Sequence, residues 1–141
     1  TRMTTQGNEK FNYNNHPFYG HADVNFAFAH NGVLYNDKEL RTEKHLPQTL
    51  IETDSYIAVQ LIEQQGKLNF DSLKSMAESV QGSFCFTALD ENNTLYLVKG
   101  VKSNVPAPLC RAWTLHLCLD GKHSEKRHCR SLVSTSIRLK C

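Results

Sequence analysis

Two short stretches of the sequence combine polar groups whose types and spacing suit binding and catalysis. Near the start, TRMTTQG places Arg2 close to the hydroxyl of Thr5 and to a glycine at Gly7. A planar guanidinium with neighbouring donors is suited to gripping a carboxylate. Further on, FAFAHNGVLYND contains Asn31 followed by Gly32, which offer a side-chain amide and an adjacent unhindered backbone N–H. Two such donors side by side are what a developing oxyanion needs.

A carboxylate and an imidazole add to these groups. Asp54, in ETDSY, stands at the start of an apolar-periodic segment. There a carboxylate can accept hydrogen bonds from the first N–H groups of a helix or face the ammonium group of a ligand. His16, in NNHPF, precedes a proline and therefore lies in an extended or turn segment. The residues alone leave two alternatives for His16, a structural loop residue or a general base, and leave a solvated surface position open for Arg2.

Strands and a first helix must position these groups. The apolar residues within 24–34 bracket Asn31-Gly32, a pattern that predicts a tight turn between two short antiparallel strands. The segment DSYIAVQLIEQQG shows helical spacing, with Thr53 as the predicted N-cap and Gly66 as the residue that ends the helix.

A second helix and a strand pair follow. NFDSLKSMAESVQG predicts a helix that ends at Gly82 and presents one apolar face, made of Phe70, Leu73, Met76, Ala77 and Val80. SFCFTALDENNTLYLVKG alternates apolar and polar residues on both sides of a polar turn at 90–93. The order of strands, helices and strands predicts an α+β layered fold and argues against a βαβ parallel sheet.

Composition and charge divide the chain near residue 100. The 141 residues are 40% hydrophobic and 21% charged, which is ordinary for a globular domain. Residues 1–100 hold eight Lys or Arg against twelve Asp or Glu, whereas residues 101–141 hold eight against two. There is no long apolar run and no signal-peptide pattern at the start, so we expect no membrane partner and a cytoplasmic location.

The tail, residues 101–141, needs a separate interpretation. It carries no evident strand pattern, and its richness in Ser, Arg, Leu, Cys and His is typical of out-of-frame translation, so we expect a frameshift origin. A zinc site is an alternative, although the spacings C-x₂-C and H-x₃-H are absent. A basic contact with nucleic acid is another. We expect neither a metal nor a nucleic-acid partner. The zinc alternative would draw on Cys110, Cys118, Cys129, His116, His123 and His128.

Four motifs together resemble a known family. TRMTTQG, NHPF, FAFAHNG and ETDSY, in this order and at these spacings, resemble the class II glutamine amidotransferase domain of the N-terminal nucleophile hydrolase superfamily, over about residues 1–100. The first and last motifs are similar to those of short stand-alone bacterial members. The resemblance implies an αββα four-layer sandwich, with two antiparallel sheets face to face and helices outside. It also implies glutamine as the substrate, no cofactor, and ammonia delivered to a synthetase domain or partner.

The resemblance also implies roles for individual residues. The Asn31 side chain and the Gly32 N–H would form the oxyanion hole. Arg2 and Asp54 would receive the two charges of the glutamine zwitterion. The full set of implied substrate-binding residues is Arg2, assisted by Thr5, Gln6 and Gly7, for the α-carboxylate, and Asp54 for the α-ammonium group.

The nucleophile of the family is a cysteine at the mature N-terminus, and we expect this chain to be a fragment without it. Thr1 stands inside the substrate-binding motif, so we do not assign it that role. Cys85 lies within a predicted strand as a small apolar group. We therefore expect this chain alone to be inactive. The alternatives are a non-catalytic remnant that holds glutamine or glutamate and a small basic protein that binds zinc or nucleic acid.

Overall fold

The computed structural model describes residues 6–102, with side chains described as far as residue 100, and the backbone of two further strands at 112–119 and 135–138. Six strands form one antiparallel sheet in chain order: β1 (Phe18–His21), β2 (Asn25–Leu34), β3 (Gly82–Asp90), β4 (Thr94–Lys102), β5 (Ala112–Leu119) and β6 (Thr135–Arg138). Three helices lie between β2 and β3: α1 (Asp37–Glu43), α2 (Tyr56–Gln65) and α3 (Phe70–Ser79). A short 3₁₀ turn, Asn12–Asn14, precedes β1.

One hydrophobic core lies between the sheet and the helices. Phe28, Phe84 and Phe86 are almost fully buried, and each comes from an even-numbered position of β2 or β3. Successive strand residues face opposite sides of a sheet, so this alternation puts one face of each strand against the helices. The helices α2 and α3 contact each other, and the predicted apolar face of α3 is in the core. The α+β interpretation and the β3–β4 pair are confirmed.

The predicted turn at Asn31-Gly32 is wrong. Both residues lie inside β2, where Asn31 pairs with Cys85 and Gly32 with Phe84. A two-residue hairpin would have paired the residues before Asn31 with the residues after Gly32. Instead the buried positions, 26, 28, 30 and 34, are all even, and the strand continues along β3 as far as Leu34.

Glycine at position 32 has a backbone reason. Its φ is +141°, and a methyl group there would lie 2.0 Å from the Ser83 carbonyl oxygen. Gly82 makes the reciprocal approach, because its φ is +143° and a methyl group there would lie 2.0 Å from the Val33 carbonyl oxygen. A side chain on either glycine would therefore meet the backbone of the paired strand, and neither position has room for one.

Both helix-boundary predictions need correction at one end. Gly82 does not end α3; the helix ends at Ser79 and Gly82 begins β3, because Val80 is already extended. Thr53 is not the N-cap of α2. The Thr53 carbonyl accepts from Tyr56 N–H at 3.3 Å, so a backbone turn leads into the helix and the threonine side chain is not used as a cap. Gly66, in the left-handed conformation with φ +68°, ends α2 as predicted.

Part of the tail joins the sheet. β5 pairs with β4, and β6 pairs with β5. The expectation that the tail has no strands is therefore wrong for these two segments. The open edge of β4 offers backbone donors and acceptors that can pair with a segment lacking clear alternation. The frameshift origin remains a prediction, and the side chains of the proposed zinc and nucleic-acid contacts lie outside the described residues. Within the described part of the chain, no helix has the length and apolar character needed to cross a membrane.

Candidate functional site

The candidate site lies along an edge of β2. β1 pairs with β2 only as far as Phe28, and no other strand of the described residues covers that edge beyond it. The residues that precede α2 lie there instead. Leu34 N–H donates to Asp54 Oδ2 at 2.7 Å, and His30 Nδ1 lies 2.8 Å from Ser55 Oγ. A segment distant in sequence is thus attached to the end of the strand by side-chain hydrogen bonds.

Asp54 is a buried carboxylate with few partners. It is 2% exposed, and its Oδ1 accepts a long hydrogen bond, 3.4 Å, from Ser55 Oγ. Among the side chains of residues 6–100 no Lys or Arg forms an ion pair with it. Burial of a carboxylate is costly unless a cation or several hydrogen bonds compensate for the lost water. A cationic ligand group could therefore compensate the negative charge of Asp54.

His30 lies next to this carboxylate. Burial lowers the pKa of His30 to about 4, although the negative charge of Asp54 acts in the opposite direction. Its Nε2 is buried and has no hydrogen-bond partner in the described part of the protein. The Ser83 carbonyl favours the protonated ring but does not reach hydrogen-bond geometry. The imidazole is therefore neutral near pH 7, and Asp54 is left without a cationic partner on this side.

The lowered pKa of His30 predicts acid sensitivity of the fold. Between pH 6.5 and about 4 the unfolded chain binds more protons at this position than the folded protein, so the free energy of unfolding falls as the pH falls. We expect a contribution of about 3 kcal/mol across this window. Urea unfolding at several pH values measures it. His30→Gln should flatten this dependence, whereas the same change at the exposed His45 should not; equal slopes for both variants would contradict the prediction.

The glycine-containing loop near the start of the chain reaches the same region. A methyl group on Gly7, where φ is +77°, would lie 3.1 Å from Thr53 Cγ2 and 3.3 Å from Asn14 Cγ. Thr53 directly precedes Asp54, and its Oγ1 is buried without a hydrogen-bond partner among the described residues. Gly7 and Asp54, predicted to bind opposite ends of one ligand, are thus brought to neighbouring positions. Gln6 is half-buried beside Gly7.

The two predicted oxyanion donors occupy consecutive positions of β2. Tyr35 N–H donates to the Gln81 carbonyl on the β3 side, whereas Leu34 N–H donates to Asp54 on the opposite edge. Backbone N–H groups of an antiparallel strand alternate between its two edges. We therefore expect the Gly32 N–H on the Asp54 edge. The Asn31 side chain is exposed, on the sheet face opposite to the one that carries His30.

Two residues of the site, His30 and Ser55, were not predicted from the sequence. His30 and Ser55 lie within quoted motifs, and a signal for His30 existed, since it shares the buried parity of Phe26 and Phe28. Arg2 and Thr5 lie outside the described residues. In the part of the chain that the structure describes, no group of three or more His, Cys, Asp or Glu side chains is arranged to hold a metal ion.

Comparison with protein families decides the assignment. The family described as glutamine amidotransferase domain matches residues 2–106, a range that contains the four motifs apart from Thr1 and all of the implied glutamine-site residues. The chain belongs to the class II glutamine amidotransferase domain family. The resemblance inferred from the motifs is confirmed.

Several curated relatives contain a similar amidotransferase domain. A glutamine--fructose-6-phosphate aminotransferase [isomerizing] of Staphylococcus epidermidis is 32% identical over 105 residues, which are 70% of this chain and 17% of the relative. The enzyme of the same name from Sulfurisphaera tokodaii is 36% identical over 96 residues, 63% of this chain and 16% of the relative. A 7-cyano-7-deazaguanine synthase of Sulfolobus acidocaldarius is 32% identical over 77 residues, which cover 55% of this chain and 16% of the relative. This amidotransferase chain therefore spans less than a fifth of these relatives.

Solved structures share the fold of the amidotransferase domain. One is the structure of the allosteric regulatory enzyme of purine biosynthesis, with a TM-score of 0.54 and 22% identity over 61% of this chain and 19% of that one. Another is a glutamine phosphoribosylpyrophosphate amidotransferase from B. subtilis, with a TM-score of 0.54 and 22% identity over 62% of this chain and 20% of that one. The fold is therefore of the N-terminal nucleophile hydrolase type, and the described residues form one of its sheets and the adjoining helices.

Proposed function

We propose that this amidotransferase domain binds glutamine and that Asp54 receives the α-ammonium group. The observation that carries the proposal is the burial of this carboxylate, which is 2% exposed and has no Lys or Arg ion pair among the side chains of residues 6–100. Each carboxylate oxygen accepts one hydrogen bond from the described residues and can accept another. A ligand ammonium group would thus supply both the missing charge and the missing donors.

Arg2 is the partner of the α-carboxylate in this proposal, assisted by Thr5, Gln6 and Gly7. The position of Gly7 against Thr53 supports it, because the loop that follows Arg2 ends beside the segment that carries Asp54. Free glutamine is a zwitterion. A site with one cation and one anion therefore selects an amino acid over ligands with a single charge.

Asn31 and Gly32 stabilise the oxyanion in this proposal. Attack on the side-chain amide of glutamine places negative charge on its oxygen, and loss of one oxyanion donor typically costs about 10²–10³ in rate. The expected position of the Gly32 N–H on the Asp54 edge supports its role. None of the residues in this proposal is a nucleophile, and the first cysteine of the sequence is Cys85 in β3. The residues proposed here recognise the substrate and stabilise charge, and they do not attack it.

The same observation favours a second candidate, a non-catalytic module that binds glutamine or glutamate. A glutaminase assay on the longest protein that the gene encodes separates the two, since a non-catalytic module binds without releasing ammonia. In the catalytic case we propose that ammonia passes to a synthetase domain or partner and that the reaction takes place in the cytoplasm. The relatives named above are called glutamine--fructose-6-phosphate aminotransferases and a 7-cyano-7-deazaguanine synthase, so their names alone indicate more than one product class.

Titration calorimetry with L-glutamine tests the binding proposal. We expect the unaltered chain to bind and Arg2→Ala to weaken the affinity about tenfold or more, since a hydrogen-bonded charge pair contributes about 1.5–3 kcal/mol. Arg41→Ala is the matched control, because Arg41 donates to Gln60 Oε1 at 2.9 Å and has no place in the proposed site. Absence of binding by the unaltered chain, or equal affinities for the two variants, would reject the proposal.

A further inference from the structure

A closed hydrogen-bond network joins the loop that contains Gly7 to the segment that precedes Asp54. Its centre is Asn14, which is 1% exposed. Asn14 Nδ2 donates to the Asn8 carbonyl at 3.0 Å and to Glu52 Oε2 at 3.1 Å, while Asn14 Oδ1 accepts from Glu52 N–H at 2.9 Å. Glu52 Oε2 also accepts from Asn8 N–H at 3.2 Å. Both ends of the buried amide are therefore used.

The network joins the two segments to which the proposal assigns opposite ends of the ligand. Asn8 follows Gly7 directly, and Glu52 stands two residues before Asp54. Asn14 also lies against Gly7 itself. Residues 14 and 52 are 38 positions apart in the chain, so these side-chain bonds join segments that are distant in sequence. Asn14 is the buried member of the network, whereas Asn8 and Glu52 are exposed. Loss of the Asn14 amide would therefore remove the contacts that join the two exposed residues from the inside of the protein.

We infer that Asn14 is a positioning residue that fixes the separation between the two halves of the glutamine site. The inference rests on the proposed function, in which the loop of residues 2–7 receives the α-carboxylate and Asp54 the α-ammonium group. A free amino acid carries both charged groups, the ammonium and the carboxylate, on its α-carbon. The protein groups that receive them must therefore be held at a matching separation, and Asn14 holds the backbone of both segments through Asn8 and Glu52.

The inference predicts a loss of affinity that depends on the ligand. The probes are L-glutamine and glutaramate, which is glutamine without its α-amino group. The unaltered chain should bind glutamine about tenfold or more tightly than glutaramate, because only glutamine contacts both halves. Asn14→Ala should lower the glutamine affinity to about that of glutaramate and change the glutaramate affinity by less than about twofold. Calorimetry measures all four dissociation constants, and circular dichroism verifies that the variant is folded.

A rescue variant tests the hydrogen-bond pairing itself. Asn14→Asp places two carboxylates together and should lower the glutamine affinity as Asn14→Ala does. Adding Glu52→Gln restores a donor opposite the new carboxylate, while the Asn8 carbonyl still lacks the donor that Asn14 Nδ2 supplied, so the double variant should regain part of the lost affinity. This pair keeps the test decisive if the alanine variant does not fold. Asn12→Ala, an exposed asparagine of the same loop, is the matched control and should leave both affinities unchanged.

The outcomes separate this inference from the proposed function. If the unaltered chain does not bind glutamine, the proposed function fails and the inference fails with it. If the unaltered chain binds, but Asn14→Ala lowers both affinities by the same factor or neither of them, the inference alone is overturned. A lack of rescue by Glu52→Gln in the folded double variant would likewise contradict the role of the network.

Discussion

Replacing Gly32 with alanine is expected to destabilise the folded domain by about 4 kcal/mol or more. A methyl group at this position would lie 2.0 Å from the Ser83 carbonyl oxygen, and φ is +141°, where residues with a side chain are strained. The obstacle is backbone of a paired strand, so relief requires β2 and β3 to separate. Urea unfolding followed by circular dichroism measures the change.

Gly66→Ala is the matched control for this prediction. Gly66 also has a positive φ, +68°, but nothing lies within 4 Å of an added methyl group. We expect a cost of only about 1–2 kcal/mol there, the penalty of the left-handed conformation itself. Similar values for the two variants would show that the approach to Ser83 does not constrain the sheet. A large effect at Gly32 would not by itself support an oxyanion hole, because the close strand pairing already requires glycine.

Replacing Asp54 with asparagine is expected to weaken glutamine binding about a hundredfold. The amide is nearly isosteric and keeps an oxygen that can accept from Leu34 N–H, so the contact of 2.7 Å with the end of β2 can persist. The lost property is the negative charge that the proposal assigns to the ligand ammonium group. Titration calorimetry with L-glutamine measures the loss.

Asp54→Asn should leave the free energy of unfolding of the ligand-free protein unchanged or raise it. Asp54 is 2% exposed, and removal of a buried charge without an ion-pair partner relieves a desolvation cost. Asp90→Asn is the control: Asp90 is also buried, and its Oδ1 accepts from Asn92 N–H at 2.9 Å and Thr94 N–H at 2.7 Å. That variant should keep its glutamine affinity, because Asp90 has no place in the proposed site. If Asp54→Asn loses stability while binding is intact, Asp54 has a structural role only.

Local patterns predicted those parts of the fold that depend on nearby residues. The spacing of Leu73, Met76 and Ala77 located α3, and the polar residues at 90–93 located the turn between β3 and β4. The boundary errors have a common cause. Gly82 and Asn31-Gly32 are strong local signals, but pairing of β2 with β3 determines their conformation, and that partner is about fifty residues away in the sequence.

The same distinction applies to the candidate site. Asp54 could be found from the sequence because a motif surrounds it. His30 and Ser55 are 25 positions apart, and their contact of 2.8 Å depends on the position of α2 at the edge of β2. Asn14 and Glu52 are further apart still, and nothing in their local sequence indicates a shared network. Side chains of ordinary composition that meet across distant segments are visible only in the folded structure.

The placement of Asn31-Gly32 inside β2 also affects the chemical ageing of the protein. In a mobile loop an Asn-Gly sequence deamidates readily, because the unhindered glycine nitrogen can attack the asparagine side chain and form a cyclic imide. In β2 the backbone is extended and Asn31 is paired with Cys85, a conformation that keeps the two groups apart. Conversion of Asn31 to aspartate or isoaspartate therefore requires this part of the sheet to open. The rate of that conversion in stored protein would record how often the strand pair separates.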